Sequence, residues 1–251
     1  MKKKFIRIVD NKPCYQLEAD IQRLYFKKYF PDIDLYNLNP NINKQFVDKD
    51  YFYYMVKPFT LLNNLQEIKK LDNLKNIYYL DLDILSNSNL ERWICEIENN
   101  KYMIGNFYKI NWEIAFPDLN LKDFPKKWRN EIKDLKKSGY RFSTMFFRMD
   151  LFEEYLYFLS DLKLNDLIDK YYNKYFEEFL WSIFLWPKYK QGKLYNMYLR
   201  KDGYQDYNTW YYHLSTEELF NVDLNKPKWN KKFKKKVRLL KNTLKYNFTS
   251  N

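Results

Sequence analysis

Three carboxylate pairs with the spacing Asp-x-Asp occur in this chain of 251 residues: Asp32-Ile33-Asp34, Asp48-Lys49-Asp50 and Asp81-Leu82-Asp83. Two carboxylates so spaced suit one hard divalent cation, manganese or magnesium, if they share a face. Only the third pair closes an apolar strand. It follows Ile77-Tyr78-Tyr79-Leu80, a β-branched, aromatic and aliphatic run that reads as a central strand covered on both sides. Strand side chains alternate, so Asp81 and Asp83 are expected to point the same way. Burying two like charges there would be costly without a cation between them. The competing reading is a strand-end turn in which an aspartate caps a backbone amide. The first two pairs read as helix-end or loop carboxylates.

The elements before that strand must deliver it to a ligand. Phe5 to Val9 has strand composition and ends in the loop Asp10-Asn11-Lys12-Pro13. A helix is expected from Tyr15 to Phe30, stopped by Pro31, and a second short strand over Asp34 to Leu38. Strand, helix, strand is the unit of a parallel sheet. Tyr51 to Leu65 is expected as a helix, with Lys57-Pro58 near its start, leading by a crossover to residues 77 to 80. In open α/β sheets ligands bind at the carboxyl ends of strands, where Asp81 and Asp83 would lie. Further on, the pattern predicts a helix over 90–98 and a strand over 102–108. It then predicts a variable insertion over the sheet at 117–139, with a charged helix around Trp128 to Lys137, and a strand over 141–149. A helix over 151–162 is expected with Asp150 as its cap, then the most apolar helix over 167–186, carrying Glu177-Glu178. From Pro187 to Tyr212 the Tyr-rich sequence predicts short strands and turns.

Composition narrows the class. An aromatic share of 21% and an apolar share of 46% exclude a disordered chain, and four glycines exclude flexible-linker compositions. Two cysteines, Cys14 and Cys95, make no disulfide framework or zinc site, so a reducing cytoplasm is the expected setting. No window is long and apolar enough to span a bilayer. The formal charge of +12 would suggest nucleic acid if it were spread over the fold. Ten Lys and Arg fall between 226 and 245 with no acid among them, which leaves the rest nearly neutral. The same stretch sets Phe233, Val237, Leu240 and Leu244 along one side of a helix. It reads either as an ordinary packed terminal helix or as a contact to an anionic membrane surface.

The glycines stand at 105, 139, 192 and 203, too far apart for a Walker loop or a Gly-rich dinucleotide turn. A nucleotide would have to be held in another way, for which a cation bridging a diphosphate to carboxylates is suited. The single histidine, His213, follows Trp210-Tyr211-Tyr212 and precedes Lys226-Pro227-Lys228-Trp229. On composition alone a lone histidine is more often a surface or core residue than a ligand.

A strand-ending Asp-x-Asp, one distant histidine and a Lys-Pro-x-Trp element beyond it resemble the metal-dependent glycosyltransferases of the glycogenin and lipooligosaccharide galactosyltransferase type. The resemblance extends to Val9-Asp10-Asn11, Tyr29-Phe30-Pro31-Asp32 and Asn76 to Ile84. It implies a single-domain α/β, Rossmann-like fold of the glycosyltransferase A type, with a mixed, mostly parallel sheet flanked by helices. Residues 1–225 would be the catalytic domain and 226–251 a basic helical tail. It further implies Asp81, Asp83 and His213 as ligands of manganese or magnesium and Asp10 and Asn11 as nucleoside contacts. Lys57, Lys226 and Trp229 would stand at a UDP-sugar donor. Glu178 would face the reacting sugar, since Glu177-Glu178 stand where the family carries an Asp-Gln pair. Arg141-Phe142-Ser143-Thr144-Met145 replaces its Asn-x-Gly strand. The acceptor would be a hydroxyl of a glycan, glycolipid or protein, and the tail could rest on the inner membrane face. Two other classes compete: a nucleic-acid-binding module using the tail, and a metal-dependent phosphotransferase or nuclease.

Overall fold

The structure is a computed structural model that describes residues 3–11, 13–40, 55–82, 84–85, 90–99, 103–196 and 205–206. The opening builds as the sequence pattern predicts. Strand β1 (Lys3–Ile8) is followed by helix α1 (Pro13–Tyr29) and strand β2 (Ile33–Leu38), which pairs with β1 in parallel. Helices α2 (Val56–Asn63) and α3 (Leu65–Leu71) return the chain to β3 (Ile77–Leu80), which joins the other side of β1, also in parallel.

The two crossovers lie on opposite faces. Arg7 and Phe5 look towards α1, where Phe5 meets Phe26 at 5.9 Å between ring centres. Ile6, Ile77 and Tyr79 bury into the other face with Met55, Leu61 and Ile68. A sheet whose connections change face between neighbouring strands opens a crevice at the carboxyl ends of those strands, here β1 and β3.

The other half adds α4 (Leu90–Glu98), β5 (Met103–Lys109), the short helix α5 (Trp112–Ala115), α6 (Lys126–Ser138), β6 (Tyr140–Arg148) and α7 (Met149–Asp161). Helices α8 (Leu164–Tyr171) and α9 (Phe176–Lys190) and strand β7 (Leu194–Asn196) follow. The six-stranded sheet has the order β2-β1-β3-β6-β5-β7, with β6 alone antiparallel to its neighbours. The fold is thus α/β around a mixed, mostly parallel sheet. A separate pair, β4 (Ile84–Leu85) and β8 (Gln205–Asp206), runs antiparallel.

The abundant aromatics become the core. One column passes from β3 through β6 to the helices: Tyr79 stacks on Phe147 at 4.9 Å, Phe147 meets Trp181 at 5.5 Å, and Trp181 lies flat on Tyr155 at 3.7 Å. On the opposite face Tyr78 stacks on Phe146 at 5.6 Å, next to Phe5 and Trp93.

Several expected boundaries differ. The helix expected over 51–65 begins at Val56 among the described residues and breaks at Asn64, whose side chain donates to the Thr60 carbonyl at 2.8 Å. Asp150 is not the cap of α7. Strand β6 runs straight into the helix, so Arg148 takes the cap position and clamps the Asp150 carboxylate through two bonds of 2.7 Å. The helix expected over 167–186 is two helices. Tyr172 is extended, and Asn173 ties the break by accepting from the Tyr175 amide and donating to the Ala115 carbonyl, both at 2.8 Å. Helix α9 then continues through Pro187 to Lys190, where strands were expected. Within the segment 117–139 the expected charged helix forms as α6, and the segment packs into the core. Phe124, Ile132 and Leu135 are core residues, and Trp186 of α9 donates to Asp134 of α6 at 3.0 Å. Gly139 ends α6 at φ +67°, and a Cβ there would meet the Ile110 carbonyl at 3.0 Å.

Candidate active site

Asp81 is the first residue beyond β3. Its amide still bonds the Met145 carbonyl of β6 at 2.9 Å, so the strand geometry persists to this residue. Alternation sets its carboxylate on the Tyr79 side of the sheet, and the Tyr79 hydroxyl donates to Oδ1 at 2.8 Å. Lys57, from the first turn of α2, reaches the same carboxylate with Nζ 2.9 Å from Oδ1 and 3.3 Å from Oδ2. The ammonium also donates to the Thr144 carbonyl at 2.7 Å. Strand β6 extends past the end of β3, and so it can supply that acceptor.

The backbone at Asp81 is fixed from the opposite face. Gln22 of α1 donates to the Asp81 carbonyl at 3.1 Å, and its own side-chain oxygen accepts from Arg7 at 2.9 Å. Arg7 is 2% exposed and is satisfied by neutral acceptors, including the Asn37 side chain at 2.7 Å and the Ala19 carbonyl at 2.9 Å. Burial, with Arg23 nearby, lowers its pKa to about 10.

The first turn of α9 supplies two further carboxylates, Glu177 and Glu178. Glu178 pairs with Arg141 of β6, with 2.7 Å from Nε to Oε2 and 3.1 Å from Nη2 to Oε1. The Arg141 guanidinium lies over the rings of Tyr108 and Tyr175, 5.3 Å from each centre. Ser182, fully buried, holds this end of α9 on the sheet: it accepts from the Phe142 amide at 3.1 Å and donates to the Glu178 carbonyl at 2.5 Å. Burial raises the pKa of Glu178, with Arg141 and Lys57 pulling it back and Asp81 pushing it up.

Glu177 differs from its neighbour. Its Oε1 is sealed from water with no hydrogen bond of normal geometry among the described residues, and the buried Trp181 indole N–H beside it gives its charged form only weak support. Desolvation drives its pKa up to about 7, opposed by Lys57 and reinforced by Asp81 and Glu178. These mutual influences place Lys57, Asp81, Glu177 and Glu178 in one electrostatic cluster at the carboxyl edge of the sheet.

Asp10 and Asn11 follow β1 at the same edge, beside β3, where Gln16 donates to the Asp10 carbonyl at 2.8 Å. Asp83, His213, Lys226 and Trp229 lie outside the described residues, as does the tail. No group of three potential metal-ligating side chains occurs among the described residues. Arg141, Thr144, Gln22 and Glu177 were not singled out as site residues from sequence. A glutamate at a helix start ordinarily reads as an exposed position, and the signals to the contrary were the resemblance to the Asp-Gln pair and a place between Phe176 and the apolar run from Phe179.

Asp81 has the donor chemistry for an oxygen-preferring divalent cation. Among the described residues Oδ1 accepts two bonds, whereas Oδ2 accepts the long one from Lys57 and keeps lone-pair capacity. A cation there would share Asp81 with Lys57.

No family model matches the chain, and no curated protein matches it. Among solved structures, it is similar to a galactosyltransferase, LgtC, in complex with donor and acceptor sugar analogues, at 12% identity and a TM-score of 0.38 over 78% of this chain and 74% of that one. An active-site mutant of LgtC gives 12% identity and a TM-score of 0.36, over 72% of this chain and 70% of that one. The apo form of the glycosyltransferase GlyE of Streptococcus pneumoniae TIGR4 gives 13% and 0.40, over 99% of this chain and 63% of that one.

Proposed function

We propose that the chain is a divalent-metal-dependent glycosyltransferase that moves a sugar from a UDP-sugar to a hydroxyl of a glycan, glycolipid or protein, with retention at the anomeric carbon. The observation that carries this reading is the convergence of Asp81, Lys57 and the Glu177-Glu178 pair on the crevice at the ends of β1 and β3. Residues 1–225 would form the catalytic domain and 226–251 a basic tail. Asp81, Asp83 and His213 would hold manganese or magnesium, which when bound neutralises a diphosphate leaving group. The β4–β8 pairing supports a place for His213, because it returns residues 205–206 to residues 84–85, next to Asp83. The seven further residues to His213 can span up to about 24 Å.

The chain's own groups take the remaining roles. Asp10 and Asn11 would contact the nucleoside and Trp229 the donor. Lys57 and Lys226 would meet phosphate oxygens, Lys57 from a position preset by Asp81 and Thr144. Glu178, oriented by Arg141, would face the sugar and either bind the acceptor hydroxyl or stabilise positive charge developing at the anomeric carbon. The test is calorimetric titration with UDP, with and without manganese. Binding that requires manganese is expected, and Asp83→Asn is expected to lower sugar transfer or UDP-sugar hydrolysis by at least ~100-fold with little change in melting temperature. Manganese-independent UDP binding, or an active Asp83→Asn enzyme, would remove the metal site from the proposal.

A further inference from the structure

Strand β5 gives way at its carboxyl end to α5, where Ile114 is 79% exposed, more than any other large apolar side chain among the described residues. The turn that carries it is rigid. Asn111 caps it by accepting from the Glu113 and Ile114 amides at 3.0 and 3.2 Å, and the buried Trp112 anchors it by donating to the Tyr140 carbonyl at 2.8 Å. Two grooves meet at Ile110 and Asn111. The larger, of about 590 Å³, runs past Ile114 to Lys174, and the other, of about 480 Å³, is lined by Lys109, Lys136 and Lys137 with Glu113 as its one acid. Lys109 is held in place, its ammonium 3.6 Å above the Tyr140 ring and donating to the Ser138 carbonyl at 2.7 Å. The apolar tip thus lines a groove with Lys174, and the adjoining groove, which shares Ile110 and Asn111 with it, carries three more lysines.

We infer that this face docks on an anionic lipid bilayer, with Ile114 entering the headgroup boundary and the lysines meeting acidic headgroups. A protein partner is less suited, since a protein interface buries a broad apolar centre and here Ile114 is the one strongly exposed apolar side chain among the residues lining the two grooves, beside a groove of three lysines. The surface is separate from the basic tail, and the docking needs no catalysis. If the glycosyltransferase reading holds, docking gains a consequence: β5 runs parallel to β3, so the edge that carries Asp81 would face the bilayer and a lipid-linked acceptor.

The experiment uses the full chain with a polarity-sensitive fluorophore on Ile114→Cys, in a Cys14→Ser, Cys95→Ser background. Vesicles of phosphatidylcholine, alone or with about one third phosphatidylserine, are added at low salt. A blue shift with quenching by nitroxide-labelled lipid is expected with the anionic vesicles only. Lys136→Gln with Lys137→Gln is expected to weaken that binding roughly tenfold. Absence of vesicle binding, or binding without a shift at the probe, would overturn the inference, the second by assigning the contact to another part such as the tail. A shift present before lipid is added would mean that another segment or a second copy covers the face. A shift produced by polyglutamate but not by vesicles would assign it to an acidic protein. Either result overturns the lipid reading.

Discussion

At the scale of the residue, Glu177 holds a carboxyl group that changes charge near neutral pH, pushed up to about 7 from 4.5 chiefly by desolvation. The folded protein thus keeps this proton more tightly than the unfolded chain does. Ionisation costs nothing below about pH 4.5, costs progressively more up to about pH 7, and reaches its full cost above that. Full desolvation would make this about 3 kcal/mol at most, and the residue's partial exposure lowers it. Glu177→Gln is therefore expected to raise the melting temperature at pH 8 and leave it nearly unchanged at pH 5. An equal shift at both values would show that the raised ionisation is not its source. Such a group was hard to read from sequence, because a Glu pair at a helix start ordinarily faces water and favours the helix dipole. Asp81 was legible because an apolar strand runs into it. Arg7 and Gln22, which fix its backbone, were not, since their partners are 15 and 59 residues away.

At the scale of the element, Ser182 joins α9 to β6 at the position that sets the Arg141–Glu178 pair. Ser182→Ala would leave the Phe142 amide buried without its acceptor, at a cost of about 1–3 kcal/mol. The expected result is a lower melting temperature together with a larger fractional loss in kcat than in donor affinity. A change in stability alone would reduce Ser182 to a structural role. Strands and helices with strong periodicity were readable, as β3 and α4 show by matching their expected limits. The break at Tyr172 to Tyr175 was not, because the apolar pattern continues across it while Asn173 supplies the tertiary bonds that make the break. Pro187 was equally misleading. The sequence predicts short strands and turns from Pro187 onward, yet α9 carries it and runs on to Lys190.

At the scale of the whole molecule, His213 tests the fold and the chemistry together, being 130 residues beyond Asp83. His213→Ala is expected to raise the manganese concentration needed for half-maximal activity, and manganese affinity should fall as pH drops through the histidine range. An unchanged metal dependence would return the residue to an ordinary surface or core role. The α/β class was legible from the order of elements, and the mixed sheet agrees with it. The antiparallel setting of β6 was not readable, since nothing local to residues 140–148 states its direction.

That strand has a consequence for how the protein is made. Its partners, β3 and β5, both precede it, and its Phe146 and Phe147 cover Tyr78 and Tyr79 on the two faces of the sheet. A nascent chain that has released residues 1–110 can assemble β1, β2 and β3, but it holds an unpaired edge and uncovered tyrosines until β6 emerges from the ribosome. At ~5–20 residues per second that interval lasts several seconds, during which chaperones would find their binding surface on this chain.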